Sequence, residues 1–219
     1  MLKCQFHCHV KGDPEDNIRH SAKELIKKAA KENYDVVAIT SHRKIIFNKN
    51  LKKYAEKKGI LLLPGIEFEI DKQHILAINA EKSAEEIKTF EDLKIYKEKN
   101  PQTIIIAPHP FFPGKCTLKN NLIKNINLFD AIEQSYFYSK KKDYNKEAIA
   151  LAKRWKKPII ATSDCHILKH FDISYALIDA NKDEKSIKKS ILQNKIENYS
   201  KPQNIFKLGL IYLKMLIRN

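Results

Sequence analysis

The sequence lacks the features that would mark a disulfide-bonded, membrane-spanning or repetitive protein. Its four cysteines, at positions 4, 8, 116 and 165, show no Cys-x-x-Cys spacing, which argues against a disulfide framework or a structural zinc site. Free thiols of this kind fit a reducing cytosol. No apolar run approaches the length of a membrane span, and no signal peptide precedes the first histidine motif. We therefore expect a cytoplasmic protein.

Length and composition favour one domain with a full hydrophobic core, and α/β barrels commonly run to this length as a unit. The chain has 219 residues, of which 43% are hydrophobic, so disorder is not the expected state. The formal net charge is +15, which would attract anionic substrates, nucleic acids among them. Most of the lysines lie on the polar faces of predicted helices, where charge also serves simply to solvate the surface.

The chain opens with a short β-like run that ends in His7-Cys8-His9. Side chains alternate between the faces of a strand, so both histidines point the same way and can bind one metal ion. His-x-His pairs also occur on ordinary solvated strands, so this motif alone is a weak signal for metal.

The same arrangement recurs along the chain, with an apolar strand followed by a metal-type residue. The segments are 36–42, 60–67, 103–109 and 159–166, which end at or near His42, Glu67, His109, Asp164 and His166; His74 opens a further apolar run. Six of the eight histidines occupy such positions. Because strand ends of a barrel converge on one rim, the pattern predicts a metal site there.

These motifs resemble, in order, those of the PHP (polymerase and histidinol phosphatase) family. The matching stretches are His7-x-His9, Thr40-Ser-His42, Gly65-Ile-Glu67, His74-Ile-Leu-Ala, Ala107-Pro-His109-Pro and Ser163-Asp-Cys-His166, and the resemblance spans about residues 3–180. Ser41 departs from the usual Asp or Asn of its motif. The usual Ser-Asp-Gly turn is replaced by residues 11–16, which leaves one acidic ligand open, with Asp13 our first choice and Glu15 our second.

The resemblance implies an α/β fold, a distorted (β/α)7-type barrel that resembles a TIM barrel and spans residues 1–200 as one domain. Residues 201–219 are amphipathic and basic, and we expect a helix there that packs on the barrel or extends from it. A helix that lies on a membrane surface or contacts a second subunit is the alternative. Within the barrel, the pattern also predicts one helix from Ser83 to about Lys99.

The resemblance further implies two or three divalent ions, with zinc, manganese and iron suited to imidazole and carboxylate ligands. In a trinuclear site, the first ion would be held by His7, His9, Glu67 and Asp164, the second by Glu67, His74 and His109, and the third by His42, His166 and either Asp13 or Glu15. A metal-bound hydroxide would attack the phosphorus of a phosphate ester. Glu67, His109 and Asp164 would be the catalytic residues.

The substrate is less determined than the chemistry. Arg43, Lys44 and Lys115 fall in predicted rim loops, where a cation could bind a substrate phosphate, although ordinary surface charge explains them equally well. A phosphorylated small molecule and a nucleotide or oligonucleotide both fit, and a homo-oligomer is left open. The alternatives are a catalytically silent metal-binding protein with a regulatory or partner-binding role, and a hydrolase of C–N bonds.

Overall fold

The fold is a single nine-stranded sheet curved into a barrel, with helices packed outside. The computed structural model describes residues 1–204 and 208–209, so the predicted helix at 201–219 lies largely outside the described residues. The strands are β1 Leu2–Gln5, β2 Val36–Ile39, β3 Leu61–Ile70, β4 Gln73–Ile78, β5 Ile104–Ala107, β6 Ala131–Ser135, β7 Ile159–Thr162, β8 Ser174–Ile178 and β9 Ile196–Ser200. The α-helices are α1 Ala22–Lys31, α2 Lys49–Glu56, α3 Phe90–Lys99, α4 Asn120–Lys124, α5 Asn145–Trp155 and α6 Glu184–Leu192.

The strand order is β7-β6-β5-β4-β3-β2-β1-β8-β9. Strands β1, β2 and β3 are parallel, as are β5, β6 and β7, whereas β4 runs antiparallel to both of its neighbours. The reversal follows from the tight turn at Asp71-Lys72, where both residues adopt positive φ and leave no room for a crossover helix. The first residues of β4 therefore share a rim with the last residues of the parallel strands.

The barrel is nearly closed, and different contacts close it at its two ends. At the rim where β1 and β7 end, the His9 N–H donates to the Cys165 carbonyl at 3.1 Å, and the Cys165 N–H donates to the His7 carbonyl at 3.0 Å. Lower down, the antiparallel strands β8 and β9 fill the gap. The Asn198 side-chain amide of β9 accepts a hydrogen bond from the Ala161 N–H of β7 at 2.7 Å and donates one to the Ile159 carbonyl at 2.8 Å. The predicted α/β barrel is confirmed.

Capping residues determine where the outer helices α1 and α3 begin. Ser21-x-x-Glu24 has the sequence pattern of a capping box, and these two residues form that box at the start of α1. The predicted helix from Ser83 to Lys99 is wrong in its first half, which is a short 3-10 turn at Lys82–Glu86 followed by a break. Thr89 then caps α3 by accepting a hydrogen bond from the Asp92 N–H, so the helix begins only at Phe90.

No helix in the described part of the chain is long and apolar enough to cross a bilayer.

Gly65 lies in β3, two residues before Glu67, where β2, β3 and β4 approach one another closely. A Cβ at this position would lie 2.8 Å from Thr40 Cγ2 and 2.9 Å from the Ile39 carbonyl oxygen. Both distances are below van der Waals contact, and one neighbour is backbone. Only glycine fits without moving β2 or β3.

We expect Gly65→Ala to lower the free energy of unfolding by about 1–3 kcal/mol, because the added methyl group overpacks the sheet. Chemical denaturation measured by circular dichroism checks this. Gly114→Ala is the matched control, since its Cβ would lie 3.5 Å from Cys116 Sγ, an ordinary contact. Equal midpoints for the two variants would contradict the packing argument.

Candidate metal centre

The predicted metal-type residues meet at one rim of the barrel. His7 and His9 follow β1, His42 follows β2, Glu67 lies within β3, His74 lies at the start of β4, His109 follows β5, and Asp164 and His166 follow β7. Their segments are far apart in the chain, and only the curvature of the sheet brings them together. The cluster therefore occupies the end of the barrel where the sequence pattern placed it.

Glu67 lies at the centre of this cluster, and its Oε2 atom faces three histidines. The distances from Oε2 are 3.2 Å to His7 Nε2, 3.3 Å to His9 Nε2 and 3.2 Å to His42 Nε2. The side chain is 1% exposed. One carboxylate oxygen thus links the ends of β1 and β2.

The other carboxylate oxygen of Glu67 faces a separate pair of histidines. Its Oε1 atom lies 2.9 Å from His74 Nδ1 and 3.4 Å from His109 Nε2. These two rings meet edge to face, with centroids 5.6 Å apart. The two sides of one carboxylate therefore face two different groups of imidazole nitrogens.

Asp164 is the second acid at the centre. Its Oδ1 atom lies 3.3 Å from His7 Nε2, 3.4 Å from His9 Nε2 and 3.2 Å from His166 Nδ1. The backbone at Asp164 has a φ of 41°, in the left-handed region that non-glycine residues seldom adopt. This bend turns the carboxylate toward the histidines that follow β1.

The electrostatics of the cluster are dominated by carboxylates and imidazoles held in close contact. Burial alone favours the neutral acid, but His74 and His7 hold the pKa of Glu67 well below its ordinary value. Burial likewise acts to raise the pKa of Asp164, but His7 and His166 hold that pKa well below its usual range. At His166, burial and His9 act to lower the pKa, but Asp164 and Asp16 together raise it to about 9.

Several atoms of the cluster are buried without a hydrogen-bond partner among the described residues. They are His9 Nε2, Glu67 Oε1, His74 Nδ1 and Asp164 Oδ1. A buried polar atom without a partner lowers the stability of the fold. Here carboxylate oxygens and imidazole nitrogens lie 2.9–3.4 Å apart, but their geometry is not that of hydrogen bonds. Groups such as His7-His9-Glu67 and His9-Asp164-His166 have ligand atoms within 4.8 Å of one another. This donor set fits divalent cations.

The loop after β1 brings three acids to the cluster in different ways. Asp13 Oδ2 lies 2.9 Å from His9 Nδ1, and Asp13 Oδ1 lies 3.0 Å from His42 Nδ1. Asp16 Oδ2 lies 2.8 Å from His166 Nε2 and 3.7 Å from His42 Nδ1. Asp16 was not among the predicted site residues.

Glu15 is turned outward from the cluster, unlike Asp13 and Asp16 of the same loop. Its carboxylate pairs with Arg43 Nε at 2.6 Å, although it also lies within reach of His42 and His74. Arg43 itself is 56% exposed at its side chain. The predicted phosphate-binding arginine thus already has an anionic partner at the rim.

Lys44 and Lys115 are exposed residues of the loops that follow His42 and His109. The loop that carries Lys115 also borders a shallow cleft beside His109, lined by the aromatic rings of Phe112, Phe137 and Tyr144. Phe112 packs edge-on against each of the other two rings, with centroids 5.1 Å apart. Both predicted lysines therefore lie in loops next to the histidine cluster.

Sequence reasoning missed Glu133, a fully buried acid on β6. It lies 2.7 Å from His7 Nδ1, and it accepts a hydrogen bond from the His109 N–H at 2.6 Å. The available signal was a glutamate in the middle of the strand Ala131-Ile-Glu-Gln-Ser, because a carboxylate in the middle of a buried strand requires polar partners.

Comparison with known proteins supports the same family. The model of the PHP-associated (PHP_C) family matches residues 142–195. A two-domain protein from Bacteroides vulgatus that contains a predicted PHP-like metal-dependent phosphoesterase matches with a TM-score of 0.69 and 21% identity, over 91% of this chain and 64% of its own. The chain has a PHP-type barrel fold.

Two endonuclease Q structures share this barrel fold. The lesion-specific endonuclease Q from Pyrococcus furiosus matches with a TM-score of 0.65 and 14% identity, over 91% of this chain and 58% of its own. Endonuclease Q in complex with a 27-mer duplex that carries an abasic lesion matches with a TM-score of 0.60 and 12% identity, over 90% and 58%. The chain thus spans less than two thirds of the length of these proteins. No curated protein matches the sequence.

For the protein stripped of metal with a chelator, we expect stability to fall as the pH rises. A histidine whose folded pKa is about 9, against an ordinary value of 6.5, stabilises the fold fully below pH 6.5, and this contribution is lost as the pH rises through 9. The loss at His166 is on the order of 1–3 kcal/mol. Thermal unfolding at pH 6 and pH 9 measures it.

His166→Gln should reduce this pH dependence, and His170→Gln should retain it, because His170 lies outside the cluster and faces the Tyr136 ring at 6.1 Å. A metal-free wild type that is equally stable at both pH values would contradict the expectation.

Proposed function

We propose that this protein is a metal-dependent phosphoesterase that hydrolyses a phosphate ester at the rim of the PHP barrel. The observation that carries the proposal is the position of Glu67, whose two oxygens face two separate groups of histidines. A carboxylate in that position can bridge two cations. The buried unpaired atoms around it support the same conclusion.

His7, His9, Glu67 and Asp164 would hold the first ion, and Glu67, His74 and His109 would hold the second. His42 and His166 would hold the third ion together with one acid of the loop after β1. Asp16 suits that role best because its Oδ2 atom is 2.8 Å from His166 Nε2. Asp13 would then hold the outer nitrogens of His9 and His42.

When bound, such ions lower the pKa of a coordinated water and offset the negative charge of the phosphoryl oxygens. The contribution of the protein is to orient the imidazole rings that would bind the ions. Asp13 and Glu133 contact the Nδ1 atoms of His9 and His7, and both rings keep Nε2 directed at Glu67. Arg43, Lys44 and Lys115, exposed in the neighbouring loops, would bind the substrate phosphate.

A phosphodiester in a nucleotide or oligonucleotide is the substrate class we favour over a small phosphomonoester. The net charge of +15 suits a polyanion, and endonuclease Q, which acts on DNA, shares the barrel. Fold alone does not fix a substrate, so this choice depends on direct assay.

We expect manganese-dependent hydrolysis of bis-p-nitrophenyl phosphate, with a lower rate on p-nitrophenyl phosphate. Glu67→Gln and Asp164→Asn should each lower kcat/KM by about 100-fold or more, because both carboxylates would hold the metal ions. Glu98→Gln is the matched control, since Glu98 is exposed on α3. Turnover that survives in both site variants would contradict the proposal. A metal-loaded wild type that hydrolyses neither ester nor DNA would favour a binding protein.

Three variants of the first loop distinguish the acids. Asp16→Asn should reduce the bound metal by about one ion per chain, because its carboxylate faces His166. Glu15→Gln should leave metal content unchanged, because Glu15 pairs with Arg43. Elemental analysis after dialysis measures both, with Asp13→Asn alongside. Loss of an ion in Glu15→Gln but not in Asp16→Asn would reverse the assignment.

A further inference from the structure

Glu133 joins three strands beneath the histidine cluster. Its Oε1 atom contacts His7 Nδ1 at 2.7 Å and accepts a hydrogen bond from the Thr162 hydroxyl. Its Oε2 atom accepts from the backbone N–H of His109 at 2.6 Å. The side chain has no exposed surface.

The contact with Glu133 determines which ring nitrogen of His7 carries a proton. An ionised carboxylate can only accept hydrogen bonds, so the Nδ1 atom of His7 must donate to it. His7 Nε2 then points at Glu67 (3.2 Å) and Asp164 (3.3 Å) and is available as a ligand atom. Carboxylate–histidine pairs of this kind orient metal ligands and raise their basicity.

We propose that Glu133 is a positioning residue that keeps His7 in the tautomer able to bind a divalent cation through Nε2. The inference rests on the proposed function in one respect only, that His7 is a metal ligand. It does not require that any ester be hydrolysed. It assigns to β6 a direct effect on metal affinity at the end of β1.

The substitution Glu133→Gln tests this because the surroundings dictate how the new amide lies. The His109 N–H can only donate, so the amide oxygen must take the place of Oε2. The amide NH2 group then faces His7 Nδ1 and the Thr162 hydroxyl. His7 Nδ1 is forced to accept, which moves the ring proton to Nε2 and blocks the ligand atom. The change is nearly isosteric, so the barrel keeps its packing.

Thr162→Val is the matched control. It removes one hydrogen bond from the same buried carboxylate but leaves the pair between Glu133 and His7 in place. A role that was merely structural would make the two variants alike. A positioning role separates them by metal affinity.

The first measurement is zinc affinity, by competition with a chromogenic chelator, beside the unfolding temperature of the metal-free proteins. We expect Glu133→Gln to weaken the tightest site by about 10–100-fold, and Thr162→Val to change it by less than about threefold. Equal affinities for Glu133→Gln and the wild type would overturn the proposal. Equal losses in the two variants would also overturn it.

A second measurement needs no variant and keeps the proposal falsifiable if Glu133→Gln fails to fold. In the zinc-loaded wild type, 15N NMR of labelled histidine should place the His7 proton on Nδ1. A proton on Nε2 would overturn the proposal. Because zinc binding and NMR do not depend on turnover, a protein that binds zinc as expected but hydrolyses nothing would contradict the proposed function and leave the role of Glu133 intact.

Discussion

A carboxylate as deeply buried as that of Glu67 is stable only where cations or strong hydrogen-bond donors surround it. Removing such a group from water costs several kcal/mol, and contacts with apolar side chains do not offset that cost. The ends of β1, β2, β4 and β5 supply five imidazoles around this one side chain. The rim of the barrel is therefore organised around a charge that the protein must neutralise, whether by imidazolium groups or by divalent ions.

The reversed strand β4 is what allows two sides of Glu67 to be used. In an all-parallel barrel, each rim position comes from the carboxyl end of a strand. The turn at Asp71-Lys72 instead brings the amino end of β4 to the same rim, and His74 reaches the Oε1 side of Glu67 from there. Two neighbouring strands of opposite direction thus provide Glu67 and one of its imidazole partners, His74.

The described residues combine a PHP-type barrel fold with a loop that brings two further acids to its rim. The PHP-type barrel fold is recognisable in solved structures that share only 12–21% identity with this chain. The loop after β1 supplies two acids that contact different histidines, Asp13 beside His9 and Asp16 beside His166. The same scaffold serves many reactions, so such loops and the surface charge determine the choice of substrate.

The sequence by itself determined the capping box at Ser21 and which strands end in metal-type residues, because these depend on periodicity and on neighbours a few positions apart. The barrel was implied by the resemblance of the ordered motifs to those of the PHP family. The sequence did not predict the break before α3 or the strand β9, whose polar residues find partners only across the sheet. Asp16 and Glu133 also became visible only in three dimensions, since their partners lie 150 and 126 residues away. Local patterns report which side chains face a rim, whereas closure of the barrel decides which of those side chains touch.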